Sequence, residues 1–184
     1  MKTLQLIMLI MIGSCISSNA AYAQNKKALK YFAKAEAAVK DRKLIQASVD
    51  FTKAISHYSE YAEAYYQRGR TFIEIGQQAA GIKDLKEAIR LDSMEMMPYV
   101  ILVKQLKYNK ATEEAFSYLD AMAASNPDNI GVMHFEKAQY YESTKDLKKA
   151  LHHYEMVIQT LDPSKGPNYN DVFEYCKKKV EELK

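Results

Sequence analysis

AEAYYQRGRTFIEIGQQAAGIKDLKEAIRLDSME, residues 62–95, decides how the rest of the chain is read. Its large and small residues follow a fixed order. Tyr65, Gly69 and Phe72 come first, then a break at Gly76, then Gly81, Leu85 and Ala88. The spacing predicts one helix over about Ala62–Ile75 and a second over about Gln78–Leu91. Glycine at 76 can take the positive φ that ends a helix. Small residues at 69 and 88 let the two helices approach, and Tyr65, Phe72 and Leu85 fill the space around them. One such hairpin cannot bury its own apolar face, so copies must stack.

The copies are present. Stepping by 34 residues joins Tyr31, Tyr65 and Tyr99. The small position of the first helix recurs as Ala35, Gly69, Val103 and Ala138, and that opening the second helix as Ala47, Gly81, Ala115 and Ala150. Phe51, Leu85, Leu119 and Tyr154 hold the large position, and Ala54, Ala88, Met122 and Val157 the late small one. The last step is 35 residues, an insertion expected in the turn near Pro127–Gly131. This pattern resembles the tetratricopeptide repeat. The resemblance implies an all-α fold: a right-handed α-solenoid of about four repeats (28–61, 62–95, 96–129 and 131–164) with no internal boundary over 28–164, closed by a capping helix at 170–184.

The departures carry expectations too. Val103 and Met122 put bulk where the pattern wants small residues, so the third hairpin should cross at wider spacing. Arg42 stands where the first turn would have glycine. Asn170 is the expected N-cap of the last helix, with Val172, Phe173, Cys176, Val180 and Leu183 on one face.

Residues 1–23 read as a signal peptide. Lys2 precedes the apolar run Leu4–Ile12, and Ala21-Tyr22-Ala23 forms an A-x-A cleavage site before Gln24. The run is about half the ~20 residues needed to span a bilayer. A second reading stays open. Ile12-Gly13-Ser14-Cys15 resembles a loose lipoprotein box, in which Cys15 would be lipidated. Either way the chain is expected to be exported, to a periplasm or outside the cell, or held in the envelope by a lipid anchor. Membrane contact is expected only if Cys15 is lipidated.

A formal net charge of +3 without a basic block argues against a nucleic-acid partner. Cys15 and Cys176 are the two cysteines, so cleavage after Ala23 would leave one thiol and no internal disulfide. The four histidines, His57, His134, His152 and His153, lack the spacing of a metal site. His134 falls where the earlier repeats have Tyr31, Tyr65 and Tyr99. No G-x-S-x-G, H-E-x-x-H or glycine-rich phosphate loop occurs. No catalytic residue, metal or cofactor is therefore expected, and the chain reads as a non-enzyme.

Similarity to the repeat family implies a concave groove lined by the first helix of each hairpin. In this sequence its positions are Phe32, Glu36, Tyr66, Arg70, Val100, Lys104, Phe135 and Gln139. Apolar members would anchor an extended peptide or a partner helix, and charged members would set its register. Chaperone-binding members of the family hold a terminal carboxylate with lysine, asparagine and arginine. Here those places are Phe32, Glu36, Gln67, Met97 and Ile101, or, one repeat later, Tyr66, Arg70, Ile101, Val132 and Glu136. Neither set forms that clamp. Two function classes follow: an exported adapter or scaffold with a protein or peptide partner in its groove, and an outer-membrane-associated lipoprotein serving as a structural part of an envelope assembly or uptake machine.

Overall fold

A computed structural model describes residues 26–184. The expected leader, the expected cleavage site and Cys15 lie outside the described residues. The chain divides after Asp92 into two compact units. No Pro- or Gly-rich linker occurs there, so nothing in the composition marks the division.

The first unit holds α1 (26–40), α2 (Leu44–His57), α3 (Ala62–Glu74) and α4 (Gln78–Leu91). The second holds α5 (Met96–Tyr108), α6 (Thr112–Ser125), α7 (Ile130–Ser143), α8 (Leu147–Thr160) and α9 (Pro167–Leu183). No strand occurs among the described residues. Helices pair as hairpins: α1/α2, α3/α4, α5/α6 and α7/α8. Short 3-10 turns at Pro127–Asn129 and Pro163–Lys165 follow α6 and α8. In each, the residue before proline accepts from the backbone two residues on: Asn126 from Asp128 N–H, Asp162 from Ser164 N–H. The extra residue of the last repeat falls beside the first of these turns.

One backbone device makes all four hairpins. Arg42, Gly76, Lys110 and Lys145 recur at the repeat interval and all have positive φ, at 60°, 86°, 61° and 63°. The next residue's N–H then bonds back across the helix end: Lys43 to Ala38, Gln77 to Phe72, Ala111 to Leu106 and Asp146 to Tyr141. This six-to-one bond closes the helix and reverses the chain. Three of the four hairpins do this with a side chain that adopts the left-handed region at a cost.

The size pattern becomes the core. Every residue in the four recurring sets, from Ala35 to Val157, is buried. Phe51, Leu85, Leu119 and Tyr154 are essentially fully buried, each contributing about 1.5–3 kcal/mol of apolar burial. In the second hairpin the approach is backbone on backbone. A Cβ on Gly69 would stand 3.0 Å from the Gly81 carbonyl oxygen; one on Gly81 would stand 2.5 Å from Ile73 Cγ1 and 2.7 Å from the Gly69 oxygen. In the third hairpin, where Val103 and Met122 stand at the small positions, α5 and α6 touch less extensively than α3 and α4 or α7 and α8.

The last helix begins at Pro167, ahead of the expected cap at Asn170, which is a helical residue. Gly166, at φ 147°, precedes it, and proline suits the first helical position because its missing N–H would have no intrahelical partner there. Cys176 and Val180 of α9 pack with Ala138, Ala150, Tyr154, Val157 and Leu161. Cys176 is fully buried, and burial pushes its thiol up to about 12. It packs as an apolar residue rather than offering a thiol for cross-linking. Glu142 joins three helices: it accepts from Tyr154 Oη at 2.6 Å and from Lys179 Nζ at 2.7 Å. Those two bonds, the lysine's first, hold the Glu142 carboxyl below its usual range.

Candidate partner-binding surface

The predicted groove positions divide between the units, four in each. In the first unit, Phe32 of α1 is half-buried, its ring 5.5 Å from Phe51 and 4.9 Å from Tyr61. Glu36, one turn on, is exposed. Tyr66 of α3 is only 7% exposed, so its ring is mostly spent inside the unit. Arg70 lies over that ring at 5.5 Å and donates to Gln67 Oε1 at 3.0 Å. Tyr66 and Arg70 are thus brought together, with arginine as the outward member.

In the second unit, Val100 and Lys104 are exposed on one face of α5. Gln139 of α7 is exposed, and Phe135 is half-buried one turn earlier. Phe135 meets the Tyr175 ring edge-on at 6.0 Å. It also lines an apolar pocket of about 210 Å³ with Gly131, Val132, Leu161, Asn168, Tyr169 and Val172. Gly131 permits the close contact of α7 with Leu161, since a Cβ there would stand 2.8 Å from Leu161 Cδ1. Leu161, the residue closing α8, and Asn168, Tyr169 and Val172 of α9 make up most of this lining, and the groove pattern did not include them. The repeat pattern covers the first helix of each hairpin, and a capping helix has no place in it.

Sequence reasoning also missed the polar ties inside the hairpins. Arg68 of α3 grips Asp84 of α4 twice, Nε to Oδ2 at 2.6 Å and NH2 to Oδ1 at 2.8 Å. Its NH1 donates to Thr52 of α2 at 3.0 Å. Its guanidinium lies 5.4 Å from the Tyr65 ring and 5.6 Å from Phe72. Asp50 is the equivalent of Asp84 one repeat earlier. Burial raises its pKa, but bonds from Gln46 and Lys53 and the charges of Lys53 and Lys34 outweigh that and hold it below the usual range. A second, larger cavity of about 860 Å³ in the first unit is lined by Tyr65, Arg68 and Phe72 of α3 and by residues 79–90 of α4. Among the described residues no three His, Cys, Asp or Glu side chains converge to hold a metal ion. Nor is any described helix long and apolar enough to cross a membrane.

No sequence-family model and no curated protein matches the chain. Solved structures do. A crystal structure of MamA superposes with a TM-score of 0.63 at 17% identity, covering 86% of this chain and 90% of its own. MamA from Desulfovibrio magneticus RS-1, residues 41 to the end, gives 0.60 at 16%, covering 85% and 93%. YrrB, described as a TPR protein with an unusual peptide-binding site, gives 0.60 at 20%, covering 89% and 86%. At these identities the likeness speaks for the fold alone. With four recurring turns and four buried size positions, this chain has the tetratricopeptide-repeat fold.

Proposed function

We propose that the chain is a non-enzymatic interaction module that holds a peptide or partner helix through an apolar anchor side chain. The observation that carries this reading is the pocket at Phe135. A groove position chosen from the repeat register alone forms the wall of an apolar pocket with room for one large side chain. Exposed Gln139 one turn on, and exposed Lys104 and Val100 on α5, supply polar and apolar contacts of the kind that set register. The shared fold with YrrB, whose description names a peptide-binding site, supports the same class.

The test is selection from a random peptide library, followed by affinity measurement on one enriched peptide. The parent protein is expected to enrich peptides with one large apolar residue. Val132→Glu, which puts a charge into the half-buried pocket wall, should weaken the selected peptide at least about tenfold, roughly 1.4 kcal/mol, with unchanged helical circular dichroism. Equal binding by parent and variant would remove the pocket from the account.

The leader-like N-terminus supports export of this module. Intact mass of the mature protein decides the form: a chain beginning at Gln24 fits a free adapter, and an acylated Cys15 fits an envelope lipoprotein instead.

A further inference from the structure

Two positions recur in register through the hairpins, and no partner-binding role requires what fills them. One member comes from the first helix, at Tyr31, Tyr65, Tyr99 and His134; the other from the second, at Asp50, Asp84, Tyr118 and His153. In the first two hairpins the second member is an acid tied by hydrogen bonds. In the third the two are tyrosines meeting edge-on at 6.4 Å. In the fourth they are two imidazoles, Nδ1 to Nδ1 at 2.9 Å.

Two ring nitrogens at that distance share one proton. One ring donates its N–H and the other accepts through its lone pair. When both rings are charged, both nitrogens carry hydrogens, and the bond is replaced by two like charges. The surroundings do not compensate. From α7, Lys137 and Tyr141 face the pair, with Tyr141 parallel to the His153 ring at 5.5 Å. Lys149 of α8 lies 5.0 Å over the same tyrosine ring. His152, also of α8, lies 5.3 Å from His153. From α6 comes an acid, Asp120, which Lys137 engages at 2.5 Å.

We propose that His134 and His153 form a proton-operated latch between α7 and α8, closed by one shared proton and opened in mild acid when each ring takes its own. Burial first, then the neighbouring positive groups, lower both imidazoles, His153 to about 4 from the ordinary 6.5. The unfolded chain takes up a proton near pH 6.5 that the folded chain resists until about pH 4. Stability is therefore full above about pH 6.5 and is lost as pH falls toward 4. The inference is independent of the Phe135 pocket, since its test reads protonation and stability and needs no partner.

The experiment uses the full chain. Imidazole nitrogen signals are followed by NMR from pH 7.5 to 4, and thermal unfolding is recorded across the same range. The control is His134→Tyr with His153→Tyr, which installs the pair that the third hairpin already accommodates. Between pH 7 and 4.5 the parent should lose about 3–6 °C more in melting temperature than the control. In the parent, His153 should titrate well below 6.5. Should the control fail to fold, the single variant His134→Tyr serves, and the His153 midpoint should then move toward its ordinary value. Two independent titrations near 6.5, or equal melting losses in parent and control, would overturn the latch.

Discussion

The second and fourth hairpins have the same skeleton and opposite polar chemistry. Both cross closely, both turn through a left-handed residue, and both bury a large side chain at Leu85 or Tyr154. In α3/α4, the position one residue before Leu85 is Asp84, gripped by Arg68 as a full ion pair. In α7/α8 the matching residue is His153. The base matching Arg68 is Lys137, which turns instead to Asp120 on α6. The size pattern is set by packing and recurs. The polar residue beside it varies, so long as its hydrogen bonds are met. Among the described residues no buried side-chain polar atom lacks a partner. The first unit therefore holds its second hairpin with permanent charges, and the second holds its last with a pair that titrates.

Breaking each pair should measure that difference. Asp84→Ala is expected to cost about 3–5 kcal/mol, because Arg68, its side chain only 15% exposed, would be left charged in a buried place. Asp120→Ala also strands a base, since the Lys137 side chain is 13% exposed, but it removes a single bond from a carboxylate that is 59% exposed, so the loss should be smaller, about 1–3 kcal/mol. Urea unfolding followed by circular dichroism reads both. Similar losses would mean that burial does not separate the two kinds of pair.

A milder intervention probes the crossing itself. Gly81→Ala puts a methyl into Ile73 and the Gly69 carbonyl, where Ala150 is accepted at the same place in α8. Overpacking costs about 1–3 kcal/mol, offset by up to about 1 kcal/mol of helix propensity, for a net loss of about 1–2. Gly69→Ala meets its nearest atoms at 3.0–3.3 Å and should lose less. If both alanines are neutral by urea unfolding, the helices of the second hairpin are not held by glycine contact.

Much of this architecture was legible because alternation of bulk is a local property of sequence. Helix boundaries at 62 and 91, the left-handed turn at Gly76 and all four buried sets follow from it. The start of α9 was misplaced because Asn170 looked like a cap, while Gly166-Pro167 already carried the better start. The division after Asp92 leaves no compositional trace. The candidate surface was less legible. Register locates a helix face but not how much of a ring its own unit consumes, so Tyr66 looked like an anchor and is buried, while Phe135 borders a pocket. The recurrence of Asp50 and Asp84 at the repeat interval was a visible signal of the polar ties, and the histidines at 134 and 153 sat in the same register.

The smallest expected effect concerns the turns. Gly76 reaches φ 86° without a side chain, whereas Lys110 holds φ 61° and Lys145 φ 63° with one. For a residue with a Cβ the left-handed region costs roughly 1–2 kcal/mol, and glycine gives back part of that gain through the greater freedom of its unfolded chain. Lys110→Gly should therefore stabilise the second unit by about 0.5–1 kcal/mol, and Gly76→Ala should destabilise the first by a similar amount. Both are read from urea midpoints at constant slope. Opposite signs would show that the left-handed turn is a shared backbone demand that three of the four hairpins meet at a cost. The same sign in both would mean that the side chain of Lys110 contributes more in its turn than its backbone strain removes.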